Sequence, residues 1–132
     1  MLLMQLKTIE KFAFLHIAHH LARIDGFFGL KEKEIINDYC IEMGIDDIIY
    51  DEQNYSLDEC LSKFKTQKSQ KILLLELMIL VHIDDKFNSF EKELMTTICT
   101  KFDIKNNGIQ YASSWGKAAC ALREQGLLMI NT

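Results

Sequence analysis

Apolar side chains recur every three or four residues along most of the chain, which is the spacing of amphipathic helices. The first stripe lies within residues 5–24 and consists of Leu6, Ile9, Phe12, Ala13, Ile17, Leu21 and Ile24. The same spacing predicts further helices over about 30–43, 57–64, 67–84, 89–102 and 109–125, with one helical turn over 46–51. Gly44 predicts a left-handed helix end, and Asn106-Asn107-Gly108 predicts a turn before the last helix. The pattern therefore predicts an all-α protein of about six or seven helices.

The helical pattern occurs twice, because residues 15–45 align without gaps on residues 74–104, an offset of 59 residues. Ten aligned positions are identical, including Ile24/Ile83, Asp25/Asp84, Phe28/Phe87, Glu32/Glu91, Lys33/Lys92, Glu34/Glu93 and Cys40/Cys99. Each copy consists of an apolar helix, an acidic turn and an amphipathic helix. The repeat predicts two pseudo-symmetric helical hairpins packed on each other, with the last helix covering their open side. Phe28 and Phe87 are expected to be equivalent core anchors.

The first acidic turn reads Ala22-Arg23-Ile24-Asp25-Gly26, followed by Glu32-Lys33-Glu34-Ile35. A duplicated Ala-x-x-Asp-Gly turn with a following Glu-x-Glu resembles the tellurite-resistance TerB-like family. The second copy departs from that pattern, with Val81 for Ala and Asp85 for Gly. The resemblance covers roughly residues 9–104. It implies an all-helical, non-enzymatic domain linked to metal or oxyanion stress, with a protein partner and, in some members, a membrane-associated assembly.

Length and composition predict one globular domain over residues 1–132, of which 48% are hydrophobic and 26% charged. The net charge is −4, and residues 25–59 hold eleven Asp or Glu against two Lys. This acidic band would repel the phosphates of a nucleic acid, so nucleic acid is excluded as a partner. It favours cations or a basic protein surface instead.

The compartment predicted from the sequence is the cytoplasm. The four cysteines have no Cys-x-x-Cys spacing, and Cys40 and Cys99 are expected to be buried core thiols. The amino-terminal residues lack the pattern of a signal peptide. The longest apolar run, residues 72–83, is interrupted by Glu76 and is too short for a transmembrane segment.

The candidate metal-binding residues are the duplicated acids of the two turns. They are Asp25, Glu32, Glu34, Asp84, Asp85, Glu91 and Glu93. Carboxylate oxygens are the ligands that a weakly bound divalent cation of the calcium type prefers. The EF-hand template fails in the first copy, since Leu30 and Ile36 occupy its Gly and Glu positions. The structural alternative is that Asp25 and Asp84 bind amides of their own turns, while Gly29-x-x-Glu32 and Asn88-x-x-Glu91 have the spacing of capping boxes.

Other titratable residues carry weaker signals. His16 and His20 share one helix face, but with His19 and His82 they lack a His-Glu-x-x-His motif, so packing within helix interfaces is favoured. Glu76 is expected either to be buried with a partner or to lie at an exposed edge. No phosphate-binding loop or nucleophile elbow is present. The sequence therefore predicts a non-enzymatic binding or sensing module acting through its acidic surface, with a divalent-cation-binding regulatory domain as the alternative.

Overall fold

The predicted all-α class is confirmed by the computed structural model, which describes residues 1–84 and 87–132. These residues contain a short 3₁₀ turn, Leu3–Gln5, and six α-helices. The helices are α1 (Thr8–Arg23), α2 (Leu30–Met43), α3 (Leu57–Leu61), α4 (Gln67–His82), α5 (Ser89–Lys101) and α6 (Asn106–Ile130). In the same described residues, no helix is long and apolar enough to cross a membrane.

The 59-residue offset of the sequence repeat reappears in the local backbone. Helices α1 and α4 both have 16 residues, and their first and last residues are repeat mates. A left-handed residue follows each second helix: Gly44 (φ 68°) comes directly after α2, and its repeat mate Asp103 (φ 56°) comes two residues after the end of α5. After them, the Ile45 and Ile104 N–H groups donate to the carbonyls of Cys40 and Cys99, at 3.2 and 2.8 Å. The left-handed end predicted at Gly44 is confirmed, and Asp103 adopts the same conformation despite its Cβ.

The core is built on the first helix of each copy. Leu73, Leu77, Met78 and Val81 of α4 are fully buried, and Phe14 of α1 lies among them. Helix α6 packs along α4. At their closest approach a Cβ on Gly116 would lie 2.6 Å from the Met78 Cβ and 2.7 Å from its carbonyl carbon. Only glycine allows this approach, because real Cβ contacts are not that short.

Two predictions about the carboxyl-terminal part of the chain are wrong. The predicted turn at 106–108 is the first turn of α6, since the Gly108 N–H donates to the Lys105 carbonyl (2.9 Å). The helix also continues past 125 to Ile130, and a Cβ on Gly126 would meet no atom within 4 Å. A glycine in an exposed helix costs only about 1 kcal/mol, which packing against α4 can offset.

The acidic connector between α2 and α3 also differs from expectation. No helix forms over 46–51; a turn lies at 52–54. Asp51 accepts hydrogen bonds from the Gln53 N–H (3.1 Å) and the Asn54 side-chain amide (2.5 Å). Short acidic side chains favour such local bonds, which compete with helix formation. Helix α3 is shorter than the predicted 57–64, and Ser56 caps it by accepting from the Glu59 N–H (3.3 Å).

Two buried polar features complete the core. Glu76 is fully buried, and its Oε1 accepts from the Leu2 N–H at 2.7 Å and lies 3.3 Å from the Met1 ammonium. Burial raises the pKa of Glu76, although these two donors favour its charged form. The thiols of Cys40 and Cys99 are buried as predicted, and burial raises the pKa of each to about 11.

Candidate functional site

The first turn, between α1 and α2, holds two carboxylates by local contacts. Asp25 accepts a hydrogen bond from the Phe27 N–H (3.0 Å), as the structural alternative predicted. Gly26 has φ 84°, a left-handed conformation that favours glycine. The side chain of Glu32 is only 8% exposed, and a Cβ on Gly29 would lie 2.8 Å from its Oε2. The carboxylate of Glu32 therefore lies over the amino-terminal end of α2.

The second turn, between α4 and α5, forms the predicted capping box. The Glu91 N–H donates to the Asn88 side-chain oxygen (2.9 Å), and the Asn88 N–H donates to the Glu91 Oε1 (3.2 Å). Glu91 is 8% exposed, like its repeat mate Glu32. Asp85, a candidate ligand, lies outside the described residues. Glycine at position 29 has no side chain, so the first copy lacks the Asn88 half of this box.

Glu91 of the second turn experiences the charges of carboxylates in both turns. Burial and the negative charges of Asp84, Asp25 and Glu32, acting against the Asn88 N–H, together raise the pKa of Glu91 to about 7. Two of these charges belong to the first copy, so the two turns lie within electrostatic range. We call Asp25, Glu32, Asp84 and Glu91 the acidic turn pair. At pH 7, Glu91 is therefore about half protonated.

The remaining candidate ligands lie away from this pair. Glu34 and Glu93 are both exposed. Glu34 lines an open groove of about 370 Å³ beside Arg123 and Leu127 at the end of α6. Across the part of the chain that the structure describes, no group of three or more His, Cys, Asp or Glu side chains is arranged to hold a metal ion. The described acids thus concentrate negative charge without forming a coordination shell.

Phe28 and Phe87 both pack against the core, as predicted for equivalent positions, but their rings are half-buried rather than fully buried. Each ring instead supports basic side chains at repeat-related positions. The Lys33 and Lys92 Nζ atoms lie 5.5 Å from the centroids of Phe28 and Phe87, respectively. The Arg23 guanidinium lies 4.0 Å from the Phe28 centroid. An aromatic face attracts such cations, and a ring that contacts a solvated ammonium group cannot be fully buried.

His19 connects α1 to the acidic connector. Its Nδ1 is 2.8 Å from the Arg23 Nη1, and its Nε2 is 2.8 Å from an Asp47 carboxylate oxygen. Arginine can only donate, so Nδ1 accepts and the ring proton resides on Nε2, from which it is donated to Asp47. His19 is 5% exposed, as expected for packing in an interface, but its two partners could not be identified from sequence spacing.

His20 contacts two tyrosines of the acidic connector. The His20 Nδ1 lies 2.9 Å from the Tyr50 hydroxyl, and its ring stacks on Tyr55 with centroids 4.3 Å apart. Burial lowers the pKa of His20, while the charge of Glu52 acts in the opposite direction. His16 lines a cavity of about 330 Å³ between α1 and α3.

His82, the last residue of α4, contacts both α6 and the phenylalanine of the second turn. Its Nε2 lies 2.9 Å from the Ser113 hydroxyl, and its ring packs edge-on against Phe87 with centroids 5.4 Å apart. His82 is the repeat mate of Arg23, so each Phe ring has a basic or imidazole neighbour at the same position.

The fold and the site define an all-helical protein with a duplicated acidic helix–turn–helix. Comparison of the chain with family models, with curated proteins and with solved structures found no match in any of the three. Membership of the TerB-like family therefore stays a prediction from the residues of the two turns.

Proposed function

We propose that this chain is a non-enzymatic binding module whose working surface is the acidic turn pair, and that its ligand is a basic segment of a protein partner. The observation that carries the proposal is that Asp25 and Glu32 of the first turn, together with Asp84, act electrostatically on the Glu91 carboxylate of the second turn. A duplicated turn that brings like charges together has an electrostatic cost, which a bound cationic group would offset.

Lysine or arginine side chains of a partner match this surface better than a neutral ligand would. A positive charge beside Glu91 favours its carboxylate form, so binding would lower a pKa that is now about 7.

The second candidate function is binding of a divalent cation as a regulatory ligand. The all-oxygen character of the acidic turn pair favours it, because calcium prefers carboxylate ligands. Within the described residues the acids do not form a coordination shell, so this function requires Asp85 or a rearrangement of the turns. For that reason we rank it second.

Calorimetry at pH 7 in two buffers of different ionisation enthalpy tests both candidates. Titration with a short Lys/Arg-rich peptide should release up to about half a proton per bound peptide, since a group with pKa about 7 is half protonated at that pH. Calcium chloride is titrated separately. Glu91→Gln should remove the proton release, and Glu124→Gln, an exposed acid on α6, should leave it unchanged. Proton-coupled binding of calcium but not of the peptide would favour the second candidate, and binding of neither would refute both.

The resemblance to TerB-like proteins adds a cellular setting to the proposal, either a stress response or a membrane-associated assembly. Growth on tellurite tests the first. A strain lacking the protein should be complemented by the natural sequence and by Glu124→Gln, but not by the double variant Asp25→Asn/Glu91→Gln. Equal growth of all these strains would remove the stress role while leaving the calorimetric result intact.

A further inference from the structure

Helix α6 has an apolar stripe on the side away from the core. Tyr111, Leu122 and Met129 are 73%, 65% and 79% exposed, and Ala118 between them is also exposed. These positions follow the 3.6-residue period and therefore lie along one side of the helix. The buried residues of α6 lie on a different side and are Ala112, Gly116, Ala119 and Cys120.

The stripe carries no charge along its whole length. The charged residues of α6 are Lys117, Arg123 and Glu124, which the helical period places off the stripe. Arg123 is bonded to Asp38 of α2, with Nη2 2.6 Å from the carboxylate oxygen. An uncharged stripe of this length on an otherwise charged protein is typical of an interaction surface.

We propose that this stripe is the interface of an antiparallel homodimer, in which α6 packs against α6 of a second copy. The stripe can pack against an identical stripe that runs in the opposite direction. With the two-fold axis level with residue 120, Tyr111 faces Met129 of the second copy and Ala118 faces Leu122. Each pair combines an aromatic ring with a thioether, or a small side chain with a large one, and both combinations pack well. Both copies use the same residues in such an isologous contact, so the assembly stops at a dimer.

The size of the stripe predicts a weak dimer. Residues 111–129 span about 28 Å of helix. The exposed side chains on it can bury roughly 500 Å² per copy, or about 1,000 Å² in total, which is the lower limit for a specific interface. We expect a dissociation constant in the micromolar range.

A membrane surface fits the stripe less well than a second copy. Helices that lie on membranes have lysine and arginine along the polar face beside the apolar one. In α6, Lys117 and Arg123 are the only basic residues, and Arg123 is already bonded to Asp38.

Sedimentation velocity from about 1 to 200 μM tests the proposal. The natural sequence should shift from monomer to dimer across this range, and Leu122→Lys or Met129→Lys should weaken the dimer at least ten-fold. Ile49→Lys is the matched control, because Ile49 is 93% exposed on the connector and off α6. Thermal melts verify that each variant folds, which is expected for exposed sites.

Crosslinking tests the antiparallel arrangement. On mild oxidation, the double variant Ala118→Cys/Leu122→Cys should give a covalent dimer in higher yield than either single variant or the natural sequence. A monomer at all concentrations, a dimer unaffected by Leu122→Lys, or binding of the monomer to anionic lipid vesicles through Leu122 would each overturn the proposal.

Discussion

The two copies of the repeat have the same helix ends but different surroundings. In both, a half-buried phenylalanine carries a lysine ammonium 5.5 Å from its ring centroid, and a glutamate that is 8% exposed lies in the first turn of the next helix. The first copy begins its second helix at Gly29, without a side-chain cap, whereas the second uses Asn88. The identical residues of the repeat thus determine where the phenylalanine, lysine and glutamate side chains lie. The positions that differ between the copies, such as Gly29 and Asn88, determine how each turn is hydrogen-bonded.

The first helices of the copies also differ in what covers them. Helix α1 packs against the short α3, and its His19 is bonded to Asp47 of the acidic connector, whereas α4 packs along the 25-residue α6. Each copy alone would leave an apolar face open. In the first copy the short helix α3 covers part of that face, and in the second copy the long helix α6 does.

The largest expected effect comes from a substitution that disrupts the packing of α6 on α4, which the first copy lacks. Gly116→Ala places a Cβ within 2.6 Å of Met78 and should lower the free energy of unfolding by about 3 kcal/mol, the upper range for overpacking. Gly126→Ala is the matched control, because nothing lies within 4 Å of its Cβ. That variant should be neutral or gain up to about 1 kcal/mol. Urea unfolding measures both, and equal stabilities would contradict the close contact of α4 with α6.

The second prediction tests whether the two phenylalanines are equivalent. Phe28→Ala and Phe87→Ala should each lower the free energy of unfolding by about 2 kcal/mol, less than the 3–5 kcal/mol of a fully buried ring, because both are half-buried. Guanidinium denaturation measures the losses. A loss for Phe87 alone would show that the Arg23 contact with Phe28 contributes nothing.

The third prediction concerns the pH dependence that the buried carboxyl group of Glu91 creates. The folded-state pKa of Glu91 is about 7 and its usual value is 4.5, so the folded protein holds this proton more tightly than the unfolded chain does. Stability from this group is therefore full below pH 4.5 and is lost as the pH rises toward 7. Glu91→Gln retains an oxygen for the Asn88 N–H and should raise stability at pH 8 by about 1–2 kcal/mol, with little change at pH 4.

Thermal unfolding from pH 4 to pH 8 measures this difference. Glu124→Gln is the control and should show the same pH profile as the natural sequence. A uniform gain for Glu91→Gln at every pH would mean that the pKa of Glu91 is not raised in the folded protein.

The smallest expected effect is at Asp25, where two substitutions distinguish a structural role in the turn from a role in cation binding. Asp25→Ala removes the acceptor of the Phe27 N–H and should cost about 1 kcal/mol, whereas Asp25→Asn should cost little. Thermal unfolding with chelator and with millimolar calcium measures both. If calcium raises the melting temperature of the natural sequence and Asn abolishes that rise, cation binding is the primary role of the turn.

Periodicity and duplication were sufficient to predict most of the fold. The bounds of α2 were predicted residue for residue, and those of α1, α4 and α5 to within three, because apolar stripes and the repeat mark the same positions. The error at Asn106–Gly108 has a physical cause. Turn-forming residues are tolerated in a helix when tertiary packing holds it, and here α6 is held by α4.

Less of the candidate site could be predicted. The repeat-related carboxylates and the capping box at Asn88 could be predicted, because they depend on residues that are close together in the sequence. The proximity of Glu91 to Asp25 depends on how the two hairpins pack, and the bond from His19 to Asp47 spans 28 residues of irregular chain. The burial of Phe28 and Phe87 was overestimated, because hydrophobicity predicts burial but not that a neighbouring solvated cation keeps part of a ring at the surface.

The buried thiols give each copy its own reporter of local opening. Cys40 and Cys99 are repeat mates, and at pH 8 each is almost entirely in its unreactive protonated form, since the pKa of both is about 11. Alkylation therefore requires the surrounding helix to open, and its rate measures the opening equilibrium of that copy. Mass spectrometry of a partly labelled sample would separate the two rates in one experiment. The copy covered by α6 should open less often, so Cys99 should label more slowly than Cys40.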